Sequence, residues 1–200
     1  MKYLIKTLVV VLAFSMVMIS CKKDDDKEDS KSNELVVNGT SYELSQGTLE
    51  NYGIWTSSGA TNIDLILLSP GITIHEEGGE FSYVTGTGHY VYFEMFTSGP
   101  TGLDVGTYTY NASSTASGTF DYSFYGLNIN FDTGSGSPVS ITGGTVTISA
   151  NGSTYEITLA LTDAMGQAVT GYYKGSLRYY NYDDRIENGQ KPTIILQSVQ

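Results

Sequence analysis

The sequence predicts an all-β fold, a single antiparallel β-sandwich of about 9–11 strands, with a calycin-like meander β-barrel as the alternative. Three observations carry that prediction. The 200-residue chain holds 16 Tyr and 23 Gly among abundant Ser and Thr, the usage of pleated, half-buried strands joined by tight turns. Long helical periodicity is missing. Short apolar runs alternate with polar residues at period two, and turn residues punctuate them at regular spacing.

Taken in order, Glu34–Val37 and Thr40–Leu44 flank Asn38-Gly39. Asn-Gly between apolar runs is a hairpin signal, because a type I′ turn needs positive φ at both central residues. Further strands are expected at Gly47–Thr56, Thr61–Leu68, Phe81–Val84, His89–Thr97 and Gly106–Asn111. In Thr119–Asp132 the apolar phase switches, from Phe120, Tyr122 and Phe124 to Leu127, Ile129 and Phe131. One extra residue near Tyr125-Gly126 would restore the facing, which predicts a β-bulge there. Asn151-Gly152 marks a second hairpin, with Val146, Ile148 and Ala150 on one side and Tyr155, Ile157, Leu159 and Leu161 on the other. Gln167–Tyr182 and Thr193–Val199 complete the set. The segment 34–200 reads as one domain, long enough to bury roughly 70% of its unfolded surface.

The N-terminus has a different character. Lys2 and Lys6 precede an apolar run from Leu8 to Ile19. A charged start, an apolar core and a small residue before the cut are the parts of a secretory signal, here residues 1–20. Met18-Ile19-Ser20-Cys21 resembles a lipobox, with Met18 where leucine is usual. The resemblance implies that Cys21 becomes the acylated first residue of the mature protein. Cys21 is the only cysteine, so lipidation also accounts for a lone thiol in an exported chain. Two or three acyl chains, at about 0.8 kcal/mol per buried CH₂, give stable anchoring.

Residues 21–33 are charged and poor in apolar side chains, the composition of a disordered tether. Within them Lys23-Asp24-Asp25 resembles the export signal of Bacteroidota lipoproteins, which implies the outer face of the outer membrane. From Gly86 to Tyr180 the domain is similar to uncharacterised Bacteroidota surface lipoproteins, through Gly88-His89-Tyr90-Val91-Tyr92-Phe93-Glu94, Gly106-Thr107-Tyr108 and Gly171-Tyr172-Tyr173-Lys174-Gly175. Those motifs are strand aromatics and glycine turns, and the resemblance brings no known activity.

Charge narrows the partners. The chain carries −11 overall, and from Ser32 to Tyr173 there are 13 Asp and Glu but no Lys or Arg. The domain's basic residues are Lys174, Arg178, Arg185 and Lys191. Such a body repels phosphate backbones, which argues against nucleic acid. It also repels anionic headgroups, so the membrane contact is expected through the acyl chains on Cys21.

Catalytic and metal motifs are weak, and no cofactor is expected. Asp132-Thr133-Gly134 matches an aspartic-protease triplet, but that chemistry needs two carboxylates sharing a proton, and no second copy follows. His75-Glu76-Glu77 lacks the second histidine of a zinc motif, and His89 lies on another strand. The pattern with most chemistry is the expected strand Gln167–Tyr182. One face carries Tyr172, Lys174, Arg178, Tyr180 and Tyr182. Exposed aromatics interleaved with cations would suit a sugar ring, an acidic glycan or a protein surface. The plainer reading is cross-strand pairing, with Glu156 opposite or diagonal to Lys174. The expectation is a non-enzymatic, lipid-anchored surface module that binds a glycan or a protein. An accessory subunit of an outer-membrane assembly, or a hydrolase with an unrecognised site, are the alternatives.

Overall fold

The computed structural model describes residues 31–55 and 57–183. The expected signal and lipidation segment, including Cys21, Lys23, Asp24 and Asp25, and the expected strand Thr193–Val199, lie outside the described residues. The described chain contains twelve strands and no helix. These are β1 (Glu34–Val37), β2 (Thr40–Glu43), β3 (Gln46–Ile54), β4 (Thr61–Leu68), β5 (Ile72–Glu77) and β6 (Glu80–Thr97). They are followed by β7 (Gly106–Tyr110), β8 (Thr119–Asn130), β9 (Val139–Asn151), β10 (Tyr155–Asp163), β11 (Ala168–Gly175) and β12 (Arg178–Asn181).

The all-β expectation holds, but the strands do not divide into the two sheets of a sandwich. Eleven of them form one continuous hydrogen-bonded path, β12-β3-β4-β6-β8-β7-β9-β10-β11-β1-β2, with β5 paired to β6 off the path. Most pairings are antiparallel; β12 with β3 and β7 with β8 are parallel. Two short connections curl this sheet. Glu43 at one edge is followed by Gln46 near the other, and Gly175 of β11 by Arg178 at the opposite edge. Three peptide steps span at most about 10 Å, so the ends of the sheet meet there and the whole forms a half-barrel. Beside this seam Asn33 extends the β1–β11 ladder, donating to the Lys174 carbonyl (3.1 Å) and accepting from the Lys174 amide (2.7 Å).

The curl encloses the main core. Leu35 of β1, Leu49 of β3, Leu65 of β4, Phe93 of β6, Ile148 of β9, Leu159 of β10 and Val169 of β11 pack in one cluster. Residues from both ends of the path meet in it because they line a concave face. A second core lies on the outer face of β3, β4, β6 and β8. There Ile72 and Ile74 of β5, with Phe81 and Val84 from the first half of β6, fold over Ile66, Tyr90, Tyr92 and Ile129. This explains β4, which is buried at every position. Ile63, Leu65 and Leu67 serve the inner core while Ile66 and Leu68 serve the outer one, as a continuous apolar run permits.

The expected strands at Phe81–Val84 and His89–Thr97 are one 18-residue strand, β6. Its first half pairs with β5, which the sequence pattern did not mark, and its second half with β4 and β8. In β8 the phase change is real, but two irregularities make it, flanking the expected position. The register against β6 slips between Tyr92 and Glu94 and again between Gly88 and Tyr90. On β8 these slips fall at Tyr122 (φ +22°) and Asn128 (φ +53°). Phe120, Tyr125 and Leu127 consequently face the inner core, and Phe124, Ile129 and Phe131 the outer one.

Candidate functional site

The expected stripe on Gln167–Tyr182 does not form. The chain leaves β11 at Gly175 and starts β12 at Arg178, and the two strands lie in different parts of the sheet path. Tyr172 and Lys174 stay on β11 against β10. Glu156 is the direct cross-strand partner of Lys174, at 3.3 Å from its Nζ, and accepts a 3.0 Å bond from the Tyr172 hydroxyl. Those two partners hold the Glu156 carboxyl below the ordinary range, the tyrosine contributing most. Arg178 and Tyr180 sit on β12, beside β3, and both donate to Glu76 Oε1, at 3.0 and 2.6 Å. Glu76 is likewise held low, chiefly by the Tyr180 hydroxyl and then by Arg178. Tyr180 and Tyr182 are buried in the outer core, with the Tyr182 ring 5.4 Å from Tyr52. Burial, aided by Glu76, pushes the Tyr180 hydroxyl up to about 12. Two of the three tyrosines of the stripe are thus structural. Lys174 and Arg178 do reach a common feature, a polar cleft of about 300 Å³ along the seam, but each is engaged by a carboxylate.

The other sequence candidates are structural contacts. The Asp132 carboxylate accepts from the Gly86 amide. His75 bonds Thr85 (2.8 Å) and stacks on Tyr83 at 4.5 Å. His89 Nδ1 accepts from the Asn128 amide at 3.1 Å, and burial lowers its pKa. Among the described residues no group of three His, Cys, Asp or Glu is placed to hold a metal ion.

A different place gathers ligand-binding chemistry. The edge of β8 changes partner along its length. Thr119 and Phe120 pair with β7, while Ser123 to Tyr125 pair with β9. On β9, Val139 to Ile141 pair with β8, and Thr145 to Ile148 with β7. The sheet splits between these ladders, at Asp121-Tyr122 on one side and Thr142 on the other. A cleft of about 440 Å³ opens there, lined by Tyr110, Asp121, Tyr122, Ser123, Phe124, Pro138, Ser140 and Thr142 among others. Its volume falls within the range typical of small-molecule sites.

The cleft combines flat rings with oxygen groups. Tyr122 is 59% exposed, yet its position is defined by a ring cluster. Its centroid is 5.8 Å from Phe124 and 6.5 Å from Tyr92, edge-on to both, while Tyr92 and Phe124 stack at 4.8 Å. Edge-on packing of this kind is favourable and directional. The positive φ of Tyr122 is rare for an aromatic residue, and such strain gathers at functional sites.

Behind the cleft runs a row of carboxylates. Register places Glu50 opposite Asp64, Asp64 opposite Glu94, and Glu94 opposite Asp121. Direct cross-strand partners share a face, so one row of acids crosses four strands and ends at the cleft. Glu50 and Asp64 are each 2% exposed. The Tyr52 hydroxyl donates to Glu50 (2.8 Å) and the Tyr92 hydroxyl to Asp64 (2.6 Å). Burial and then these carboxylates push both phenols well above their ordinary range. No family model, curated protein or solved structure matches the chain.

Sequence reasoning missed both the cleft and the acid row. The apolar phase groups Tyr122 with Phe120 and Phe124, and a single bulge near Tyr125-Gly126 does not capture the register slip at Tyr122 itself. The row depends on strand register, which single-strand periodicity does not contain.

Proposed function

We propose that this chain is a lipid-anchored cell-surface module, held at the outer membrane by acyl chains on Cys21, that binds a glycan in the cleft where β8 changes partner. One observation carries the reading: an exposed aromatic, Tyr122, braced by Tyr92 and Phe124 beside a cleft lined with the oxygens of Asp121, Ser123, Ser140 and Thr142. A sugar presents a C–H-rich face to an aromatic ring and hydroxyls at its rim. Ring plus rim of oxygen acceptors is the complement of that shape, and few, well-placed polar groups within an apolar lining are the general form of small-molecule sites.

The test is a glycan array probed with the mature protein and with Tyr122→Ala. Tyr122 is mostly exposed, so the substitution leaves the cores intact. Binding that Tyr122→Ala abolishes supports the reading. Binding that survives Tyr122→Ala, but is lost when Tyr172, Lys174 and Arg178 are replaced by Ala, would return the site to the seam.

A further inference from the structure

Resting on the reading of this cleft as a sugar site, we infer that the sugar it takes carries an acetamido group, whose methyl enters the split in the sheet while the ring lies against Tyr122. The cleft is lined from both faces of the sheet. Ile141 belongs to the inner core and Tyr110 packs against that core, whereas Phe124 belongs to the outer core and Tyr122 sits edge-on to it. Successive side chains of a strand point to opposite faces, so a groove lying on one face would meet only that face's side chains. This cleft therefore enters the thickness of the sheet, where the β8 edge passes from β7 to β9.

Depth sorts the lining. Ala112, Tyr122, Pro138, Ser140 and Thr142 are exposed and form the rim, while Ser123, Phe124 and Ile141 are buried and form the inner wall. That wall is two apolar side chains and one hydroxyl. A sugar hydroxyl pressed against Ile141 and Phe124 would give up water and meet carbon, which costs free energy. A methyl group in the same place gains by its burial. The C–H face of the sugar is already matched by the Tyr122 ring, so the apolar wall calls for carbon on a substituent.

The hydroxyl on that wall selects the kind of substituent. A serine hydroxyl has one proton to donate, and Ser123 Oγ gives it to the Asp121 carbonyl. Toward a ligand Ser123 is therefore an acceptor. At the rim Thr142 likewise donates to the Asp163 carbonyl (3.0 Å). An acetamido group joins one N–H donor to a carbonyl and a methyl. Its N–H suits the accepting oxygen of Ser123, its methyl suits Ile141 and Phe124, and its carbonyl is left to water at the rim. The methyl of a deoxy sugar fills the apolar wall but brings no donor. A plain hydroxyl brings the donor but no carbon.

The experiment titrates the full mature protein, in a detergent without a sugar headgroup, with β-linked trimers of matched linkage. One is built of N-acetylglucosamine, one of glucose, and one of N-formylglucosamine, which keeps the amide and lacks the methyl. The expected result is the acetylated trimer bound at least about tenfold more tightly than the glucose trimer, the scale of a small apolar group in a fitted pocket, with the formylated trimer between them. Tyr122→Ala should abolish binding of the acetylated trimer. Ser123→Ala, checked for a wild-type circular dichroism spectrum, should narrow the gap between acetylated and glucose trimers. Glucose bound as tightly as the acetylated trimer, with both lost in Tyr122→Ala, would overturn the inference while leaving the site in place. A formylated trimer that binds as tightly as the acetylated one, or a gap that Ser123→Ala leaves unchanged, takes the acetamido group out of the split and overturns it too. No binding of any trimer also overturns the inference, and the glycan array then decides the site. Binding that Tyr122→Ala leaves unchanged overturns both the inference and the reading of the site.

Discussion

Replacing Asp163 with Asn tests how a single buried carboxylate holds the β10–β11 turn. Asp163 is 1% exposed. Its Oδ1 accepts from the amides of Met165 and Gln167, both at 2.9 Å, and its Oδ2 from the Tyr125 hydroxyl at 3.0 Å. Burial works against the charge, but the Gln167 amide, the Tyr125 hydroxyl and the Met165 amide outweigh it, and the pKa lies below the ordinary carboxylate value. Asparagine keeps one acceptor for the two amides and turns an N–H toward Tyr125, so two bonds lose their charge assistance and the third reverses. Bonds to charged groups contribute about 1.5–3 kcal/mol each, and neutral ones about half, so the expected loss is about 2 kcal/mol. For a domain of this size that lowers Tm by about 4–8 °C.

The loss should depend on pH in one direction. A carboxyl whose folded pKa is depressed contributes stability above its unfolded value, near 3.9, and loses it as pH falls through the folded value. Thermal unfolding followed by circular dichroism at neutral and acid pH should therefore show a full gap between wild type and Asp163→Asn at pH 7 that closes in acid. A gap that stays constant with pH, or widens in acid, would refute the account. Tyr125→Phe, which removes one partner only, should cost less, about 1 kcal/mol.

Gly144 has φ +104°, and a Cβ there would run into the Ala160 carbonyl oxygen and meet Leu161 Cα at 2.5 Å; Gly144→Ala should cost about 3 kcal/mol or more by urea unfolding. Lys174→Ala removes an exposed pair with Glu156 and should cost at most about 1 kcal/mol, less at high salt; a larger loss would mean that Lys174 packs as well as pairs. Cys21→Ser should release the protein into the soluble fraction, and a variant that stays with the membrane would sink the lipoprotein proposal.

The local chemistry of the fold was legible and the long-range part was not. Asn38-Gly39 forms the expected two-residue turn, with φ of +51° and +75°, and Val37 pairs with Thr40 across it. Asn151-Gly152 does not repeat it. There Tyr155 pairs with Asn151 itself, and the Asn151 side chain donates to the Leu103 carbonyl at 3.1 Å, so a distant loop overrides the dipeptide's own preference. Ile157, Leu159 and Leu161 are buried as alternation requires. Gly175-Ser176 is turn chemistry, but a turn signal does not say that the two strands it joins will pair with different neighbours, β10 and β1 for β11 and β3 for β12. Tyr180 and Tyr182 were read as exposed because alternation identifies a face only when the opposite face is solvent, and here β5 covers it. Two aromatic-rich faces on one strand look the same in sequence whether the second faces water or a second core.

The seam also sets the order in which the molecule can assemble. β1 and β2 make a hairpin that is marginal alone, and its neighbour in the sheet is β11, with Leu35 opposite Gly171. β3 likewise waits for β12 on its outer edge, with Leu49 opposite Tyr179. The first of the described strands are thus completed by the last of them. Folding dominated by such distant pairings belongs to the slow range of milliseconds to seconds, and a nascent chain that ends before Val169 offers β1 only β2 as a partner. The domain accordingly stays open until almost all of its described strands are available.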